Sequence, residues 1–166
     1  MPINEQLAAI RRVVDALTRR AIEHWLFGGW AVDFYAGMIT RDHADVDIAI
    51  WLDDHERIAA LLAADGWKHA PQPDEDGGTG YEREGVRLEL TFLVRDDEGH
   101  VCVPLRSGLV RWSDDAFGES IEELEGVRAR VIELGALKRG KARFRDEPAD
   151  AAKDRADSAI LSRLGD

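Results

Sequence analysis

The 166-residue sequence predicts an α+β fold, with helices flanking a mixed or antiparallel β-sheet and a helical extension closing the chain. Three observations carry this expectation. Apolar residues recur at helical spacing near the N-terminus, two later segments alternate apolar and polar residues with a period of two, and the stretch after residue 133 is helix-compatible on either side of Pro148.

In chain order, Leu7, Ile10, Val13, Val14 and Leu17 share one face of an amphipathic helix expected to end near Ile22. His24-Trp25-Leu26-Phe27 is a short apolar run halted by Gly28-Gly29, the pattern of a strand entering a tight turn. Trp30 to Tyr35 resumes with helix-tolerant residues and stops at Gly37, and Ala44 to Leu52 reads as a strand. Asp53 or Asp54 is expected to cap a helix through Leu61-Leu62-Ala63-Ala64 that ends at Gly66. Residues 71–80 read as a loop on their Pro, Gly and Asp content. Strands are expected at Tyr81–Glu84, Val86–Val94 and His100–Pro104, with a hairpin at Ile121–Glu125 and Val127–Ile132 across Gly126. Helices at Leu134–Arg143 and Ala149–Leu164 complete the reading, which divides the chain into a core domain over 1–132 and a helical extension over 133–166.

With 45% hydrophobic residues the chain can bury a substantial core, roughly 70% of its unfolded surface at this size. It has no run of about 18 apolar residues, so no membrane span is expected. Met1-Pro2-Ile3-Asn4-Glu5 lacks the basic and apolar regions of a signal peptide, and a single cysteine, Cys102, suits a reducing cytoplasm. The net charge is −11, from 33 acidic against 22 basic residues. Such a balance disfavours general nucleic-acid binding and attracts a cationic small molecule, although it also serves solubility alone. An anionic nucleotide would need local basic residues or a metal ion.

The chemistry gathers in Asp45-Val46-Asp47-Ile48-Ala49-Ile50. On a strand, Val46, Ile48 and Ile50 face one side, while Asp45 and Asp47 face the other, roughly 7 Å apart along the strand. Adjacent carboxylates repel unless a cation lies between them, and Mg²⁺ is commonly held by one or two carboxylates plus nucleotide phosphates. Taken alone, such a pair also fits a solvated strand face. Glu89 lies in Arg87-Leu88-Glu89-Leu90-Thr91-Phe92, where Leu88, Leu90 and Phe92 face the core. It becomes a third carboxylate if the two strands are neighbours; otherwise it is a strand Glu paired with Arg87. Gly28-Gly29, between a strand and a helix, reads as a simple tight turn or as a close approach of phosphate to a helix N-terminus.

The order strand, Gly-Gly, helix, acid-pair strand resembles the DNA polymerase β-like nucleotidyltransferase superfamily. The likeness is strongest with the aminoglycoside 2″-adenylyltransferases and lincosamide nucleotidyltransferases. Trp25-Leu26-Phe27-Gly28-Gly29-Trp30-Ala31-Val32-Asp33 is similar to their opening motif. Gly37-Met38-Ile39-Thr40-Arg41-Asp42-His43-Ala44-Asp45-Val46-Asp47-Ile48 is similar to their G-x-x-T-R-x-H-x-D-[IV]-D segment. Fainter matches follow in Leu124–Ile132 with Leu137-Lys138, and in Lys153-Asp154-Arg155-Ala156-Asp157. The spacer over residues 30–44 is longer than the superfamily's usual one and suits this branch.

The resemblance implies Asp45 and Asp47 as metal ligands, with Glu89 as general base or further ligand and two Mg²⁺ ions as cofactors. Gly28 and Gly29 would line the triphosphate, and Arg41 and Lys138 would contact the nucleotide. Arg41 in a salt bridge to Asp42 or Asp45, Lys138 on an exposed helix face, and Lys153, Asp154 and Asp157 as a surface network are the structural alternatives. His43 reads as a structural hydrogen-bonding residue. The implied partners are a nucleoside triphosphate and a cationic acceptor, an aminoglycoside or lincosamide. Other readings are a toxin–antitoxin-type nucleotidyltransferase acting on protein or tRNA, and a non-catalytic nucleotide-binding or antitoxin module.

Overall fold

In the computed structural model, which describes residues 2–142 and 148–164, helix α1 (Pro2–Arg19) leads into the sheet. Its apolar stripe, from Leu7 to Leu17, is buried as the periodicity predicts. The helix stops before the expected Ile22 because the chain turns left-handed at Ala21 (φ 55°). There the Ile22 N–H reaches back to the Leu17 carbonyl at 3.0 Å and the Ala21 N–H to Thr18 at 3.1 Å, a helix end that seats Ile22 in the core.

The strands that follow form one large mixed sheet. Its main order is β1 (His24–Phe27), β2 (Val46–Trp51), β5 (Val86–Arg95), β4 (Gly78–Arg83) and β3 (Lys68–His69). Strand β6 (Val101–Leu105) pairs with the far end of β5, and β7 (Gly108–Arg111) pairs with β6. Only β2 and β5 run parallel among the sheet's strand pairs, and their register sets Asp47 beside Glu89. The crossover between them passes through α3 (His55–Ala64), the longer connection that parallel strands require. A separate hairpin of β8 (Ile121–Leu124) and β9 (Val127–Arg130) meets β1 through a bridge between Leu26 and Val131.

Each face of the sheet packs a core of its own. Val46, Ile48 and Ile50 join Leu88, Leu90, Phe92 and the α1 stripe on one side. On the other, Ala49 and Leu93 join Trp25, Ala31 and Val32 with the tail helices α4 (Leu134–Ala142) and α5 (Pro148–Leu161). The Asp47 face of β2 is therefore apolar along most of its length and opens only at its start.

Several boundaries differ from expectation. The 71–80 segment becomes strand at Gly78, where pairing with β5 begins, and the short strands β3 and β7 carry too little alternation to read. The hairpin ends at Arg130 because Val131 and Ile132 turn to bond Ser120 and Leu26. Asp54 precedes α3 without a side-chain cap bond and pairs with Arg57 at 3.5 Å instead. Helix α5 begins at Pro148, whose fixed φ suits a first helical position, and ends at Leu161 rather than Leu164. The expected end of the preceding helix at Arg143 lies outside the described residues. Among the described residues no helix is long and apolar enough to cross a membrane.

Ile48, fully buried in β2, fills the larger core. Ile48→Ala is expected to lower the unfolding free energy by about 2–5 kcal/mol in urea titration. A loss below about 1 kcal/mol would show that the sheet collapses onto the gap.

Candidate active site

The site begins where β1 ends and α2 (Gly28–Ala36) starts. Gly28 holds φ at +71°, and a Cβ there would run into Oδ2 of Asp47. Gly29 has an ordinary φ but no spare room, since a Cβ would stand 2.5 Å from His43 Nδ1 and 2.7 Å from Arg41 Nη2. The two glycines thus let the Asp47 carboxylate, the His43 ring and the Arg41 guanidinium all approach one turn. No side chain caps the first turn of α2, which leaves its N–H groups available to an anion.

The segment from Gly37 to Asp45 has almost no regular structure, yet it is closely held. Asp33, the one acid in the otherwise apolar α2 and fully buried, accepts bonds from the Thr40 N–H at 3.2 Å, the Thr40 hydroxyl and His43 Nε2 at 2.6 Å. Gln6 on α1 donates to the His43 carbonyl at 2.9 Å and accepts from Trp30 Nε1 at 3.1 Å. The Trp30 ring lies 4.8 Å from the His43 ring. His43 is therefore the structural hydrogen-bonding residue that its motif led us to expect. Asp33 was not singled out by the sequence reading, although a lone acid within Trp30–Tyr35 was a signal for it.

Asp45 and Asp47 both line a cleft of about 460 Å³ between the open end of the sheet and the tail helices. Burial, then the charges of Asp45 and Glu89, pushes the Asp47 carboxyl well above its usual range. Glu89 stands beside Asp47 across the parallel pair, and burial raises it too, against the opposing pull of Arg87. Arg87 Nε donates to Glu89 Oε1 at 2.6 Å, while its other nitrogens reach Glu75 and Glu82 at 3.1 Å each. Both readings of Glu89 thus meet in one place: it neighbours Asp47 and it pairs with Arg87. Among the described residues no three His, Cys, Asp or Glu side chains are gathered as a complete set for one metal ion. What the site offers a hard cation is the Asp45 and Asp47 oxygens, whose crowding a divalent ion would relieve.

The cleft's other wall brings cations. Arg41 lines it and is held by a two-pronged bond to Asp157, from Nε and Nη2 at 3.0 Å each, rather than by the side chain of Asp42 or Asp45. Lys141 also lines it and sits 2.9 Å from Asp157 and 3.7 Å from Asp154. Lys138 does not line the cleft: its Nζ donates to the Leu164 carbonyl at 3.0 Å. The correction has a helical cause, because Lys141 lies about 4.5 Å further along the α4 axis and rotated toward the sheet's open end. Asp154 and Asp157 are buried, so the pattern Lys153-Asp154-Arg155-Ala156-Asp157 is not a surface network. Phe27, Trp112, Ile132 and Leu137 give the cleft an apolar flank, with the Phe27 and Trp112 rings edge to face at 5.1 Å.

The sequence model of the aminoglycoside-2″-adenylyltransferase family matches residues 9–161. The chain belongs to that family. Two 2″-aminoglycoside nucleotidyltransferases, from Escherichia coli and Klebsiella pneumoniae, are each 37% identical to it over 132 residues, 75% of this chain and 63% of theirs. The chain thus spans less than two thirds of the length of those curated relatives. Its fold is shared with the antibiotic-resistance factor ANT(2″)-Ia in solution, at a TM-score of 0.72 and 18% identity over 98% of this chain and 90% of that one. It is also shared with a lincosamide antibiotic adenylyltransferase crystallised with lincomycin, at a TM-score of 0.71 and 18% identity over 93% and 94% of the two chains. ANT(2″)-Ia has also been crystallised with adenylyl-2″-tobramycin, a structure with a TM-score of 0.69 and 18% identity over 96% and 98% of the two chains. The stretches in which the sequence resembles that family most closely give the cleft Phe27, Gly28, Gly29, Arg41, Asp45 and Asp47.

Two predictions follow from this geometry. Gly28→Ala combines a left-handed φ with a collision at Asp47 and is expected to lower stability by about 1–3 kcal/mol in urea titration. An unchanged midpoint would show that the turn relaxes without strain. Asp157 supplies the second. Burial works to raise its pKa, yet the hydrogen bonds from Arg41 and Lys141, reinforced by their charges, hold it below the ordinary carboxylate value. With the folded value depressed, its contribution to stability is complete above the unfolded value of about 3.9 and drains away as pH falls through the folded value. Thermal melts from about pH 6 down to about pH 3 should fall more steeply for the wild type than for Asp157→Asn. Equal slopes would remove Asp157 from the acid response.

Proposed function

We infer that this chain is a metal-dependent nucleotidyltransferase, moving a nucleoside monophosphate from a nucleoside triphosphate to a hydroxyl of a cationic small molecule. The acceptor class we assign is an aminoglycoside or lincosamide antibiotic. The observation that carries the reading is the meeting of Asp45 and Asp47 with the Gly28-Gly29 turn inside one cleft, Glu89 lying beside Asp47. Kinship supports it: the matching relatives are named for 2″-aminoglycoside nucleotidyl transfer, and a protein of this fold was crystallised with an adenylylated tobramycin.

In the reaction we assign, the acceptor hydroxyl attacks the α-phosphate in line, the new oxygen–phosphorus bond forms as the bond to the bridging oxygen breaks, and pyrophosphate leaves. Asp45 and Asp47 would hold Mg²⁺, whose contribution, as one ion or two, is to neutralise charge on the phosphates. Glu89 takes the proton of the attacking hydroxyl, and its raised pKa suits a base. For that role it must exchange its bond to Arg87 for the acceptor. The uncapped N–H groups at Gly28-Gly29, together with Arg41, receive the triphosphate oxygens. Trp112 and the apolar flank exclude water from one side of the cleft.

The acceptor's positive charge answers the net charge of −11 and the carboxylates of Asp150 and Asp154 on the cleft wall. The same balance opposes general nucleic-acid binding. A reducing cytoplasm suits Cys102, buried and unpaired.

A pyrophosphate-release assay with Mg²⁺, each nucleoside triphosphate and a panel of aminoglycosides and lincosamides tests the reading. Asp45→Asn is expected to abolish release while leaving the circular dichroism spectrum unchanged. Near-normal turnover in that variant would sink the assignment of Asp45. Nucleotide binding without release on any acceptor would make the chain a binding module.

A further inference from the structure

Helix α5 lines the cleft through Asp150, Lys153 and Asp154, and it also carries Asp157, which does not line it. Asp157 is fully buried and carries no apolar role, yet its two oxygens collect Arg41 Nε and Nη2 at 3.0 Å each and Lys141 Nζ at 2.9 Å. Those cations come from two distant parts of the chain, the loop before β2 and the end of α4. Each keeps only a small exposed edge, 21% for the Arg41 side chain and 13% for that of Lys141, and both line the same cleft. Arg41 Nη2 also lies against Gly29, whose missing Cβ leaves it room beside the first turn of α2.

A buried carboxylate under two cations has a structural reading, a staple between α5 and the loop. The geometry carries more than that. A staple needs one partner, and Arg41 alone satisfies both carboxylate oxygens. The third donor, Lys141, has Asp154 within 3.7 Å and would remain paired without Asp157. Binding both cations to one carboxylate sets them side by side against the cleft, a spacing that suits two oxygens of one polyphosphate better than two independent partners.

We propose that Asp157 is a positioning residue for nucleotide binding: it holds Arg41 and Lys141 together on the cleft wall as a ready-made pair for the triphosphate. The proposal rests on the nucleotidyltransferase reading for its ligand. It assigns Lys141, not Lys138, as the cation that the tail helices contribute. Because both side chains are fixed before the ligand arrives, the anion meets them without a further loss of rotamer freedom. Asp157 acts through its two partners and touches neither nucleotide nor acceptor.

The test is calorimetric binding of tripolyphosphate and of ATP to the full chain, with pyrophosphate release measured in parallel. Asp157→Asn is expected to weaken both ligands by about tenfold or more, the scale of releasing a charge-assisted pair, while kcat at saturating nucleotide stays within about twofold. Lys141→Met, which leaves the Asp157–Arg41 bond in place, should show the same loss with the fold intact and so covers the case in which Asp157→Asn fails to fold. Combined with Asp157→Asn, Lys141→Met should add little, because the pair acts as a unit. Arg139→Ala, on the same helix with its partner Asp115 at the surface, should bind as the wild type does. Unchanged affinity in folded Asp157→Asn and in Lys141→Met would overturn the proposal and leave Asp157 a staple. Tight binding by the wild type without pyrophosphate release would overturn the transfer reading alone. No binding by the wild type would overturn both.

Discussion

The parallel pairing of β2 with β5 is the constraint on which the site depends. Val46, Ile48 and Ile50 lie beside Leu88, Leu90 and Phe92, and this block packs against the α1 stripe. Side chains alternate across a strand, so a slip of one residue would turn Asp47 or Glu89 into the core and an isoleucine or leucine out of it. Burying an unpaired carboxylate there would cost several kcal/mol. The meeting of Asp47 and Glu89 is therefore enforced by apolar packing on the opposite face, where no chemistry takes place. Mutations far from the cleft that loosen this register would be felt in it.

A second constraint holds the stretch that regular structure does not. Between α2 and β2 the chain runs through Gly37–Asp45 with almost no backbone ladder of its own, and its backbone groups must find partners elsewhere. Asp33 provides one at the Thr40 N–H and also holds the His43 ring, and Gln6 provides one at the His43 carbonyl. Asp33 is tolerated in a fully buried place because its oxygens meet three donors, the condition under which a buried acid is stable. Helix α1 thus contributes to the site without lining the cleft. Its Gln6 lies between Trp30 and His43, and through them it sets the entry of β2 and the position of Asp45.

Period and punctuation made much of this legible. The α1 stripe, the β2 and β5 alternation and the stops at Gly28-Gly29 and Gly37 are local signals, and the described elements follow them closely. Strands β3 and β7 were not legible, because two or four residues hold too little alternation and their pairing is set by β4 and β6. In the site, the placement of Asp45, Asp47 and the glycines in one cleft could be read from spacing and motif, since it follows from neighbours in sequence. Lys141 and Asp157 could not. Their association with Arg41 joins positions separated by up to 116 residues, and no local pattern distinguishes Lys141 from Lys138 on an exposed helix. Asp157 looked like a surface acid because its helix is polar in sequence, whereas burial arises only when α5 docks on the far face of the sheet.

That docking also bears on how an acidic chain would receive the anionic donor proposed for it. A net charge of −11 repels a triphosphate at long range, but beyond a Debye length of roughly 8 Å at physiological ionic strength salt screens most of that repulsion. What decides binding is the local field. Arg41, Lys141 and Lys153 line the cleft beside the first turn of α2, so fixed positive charge and unbonded N–H groups face one space. The same cleft holds the Asp45 and Asp47 carboxyl groups, whose crowding a divalent ion would relieve. Of the acids that balance the cations, Asp157 is buried and does not line the cleft, whereas Asp154, though also buried, still lines it. Asp157 thus holds Arg41 and Lys141, two of the cleft's cations, from outside its lining. Under the proposed reaction, a cationic acceptor would answer the acidic outer surface and an anionic donor the cations of the cleft, two opposite fields that would meet at the sheet's open end.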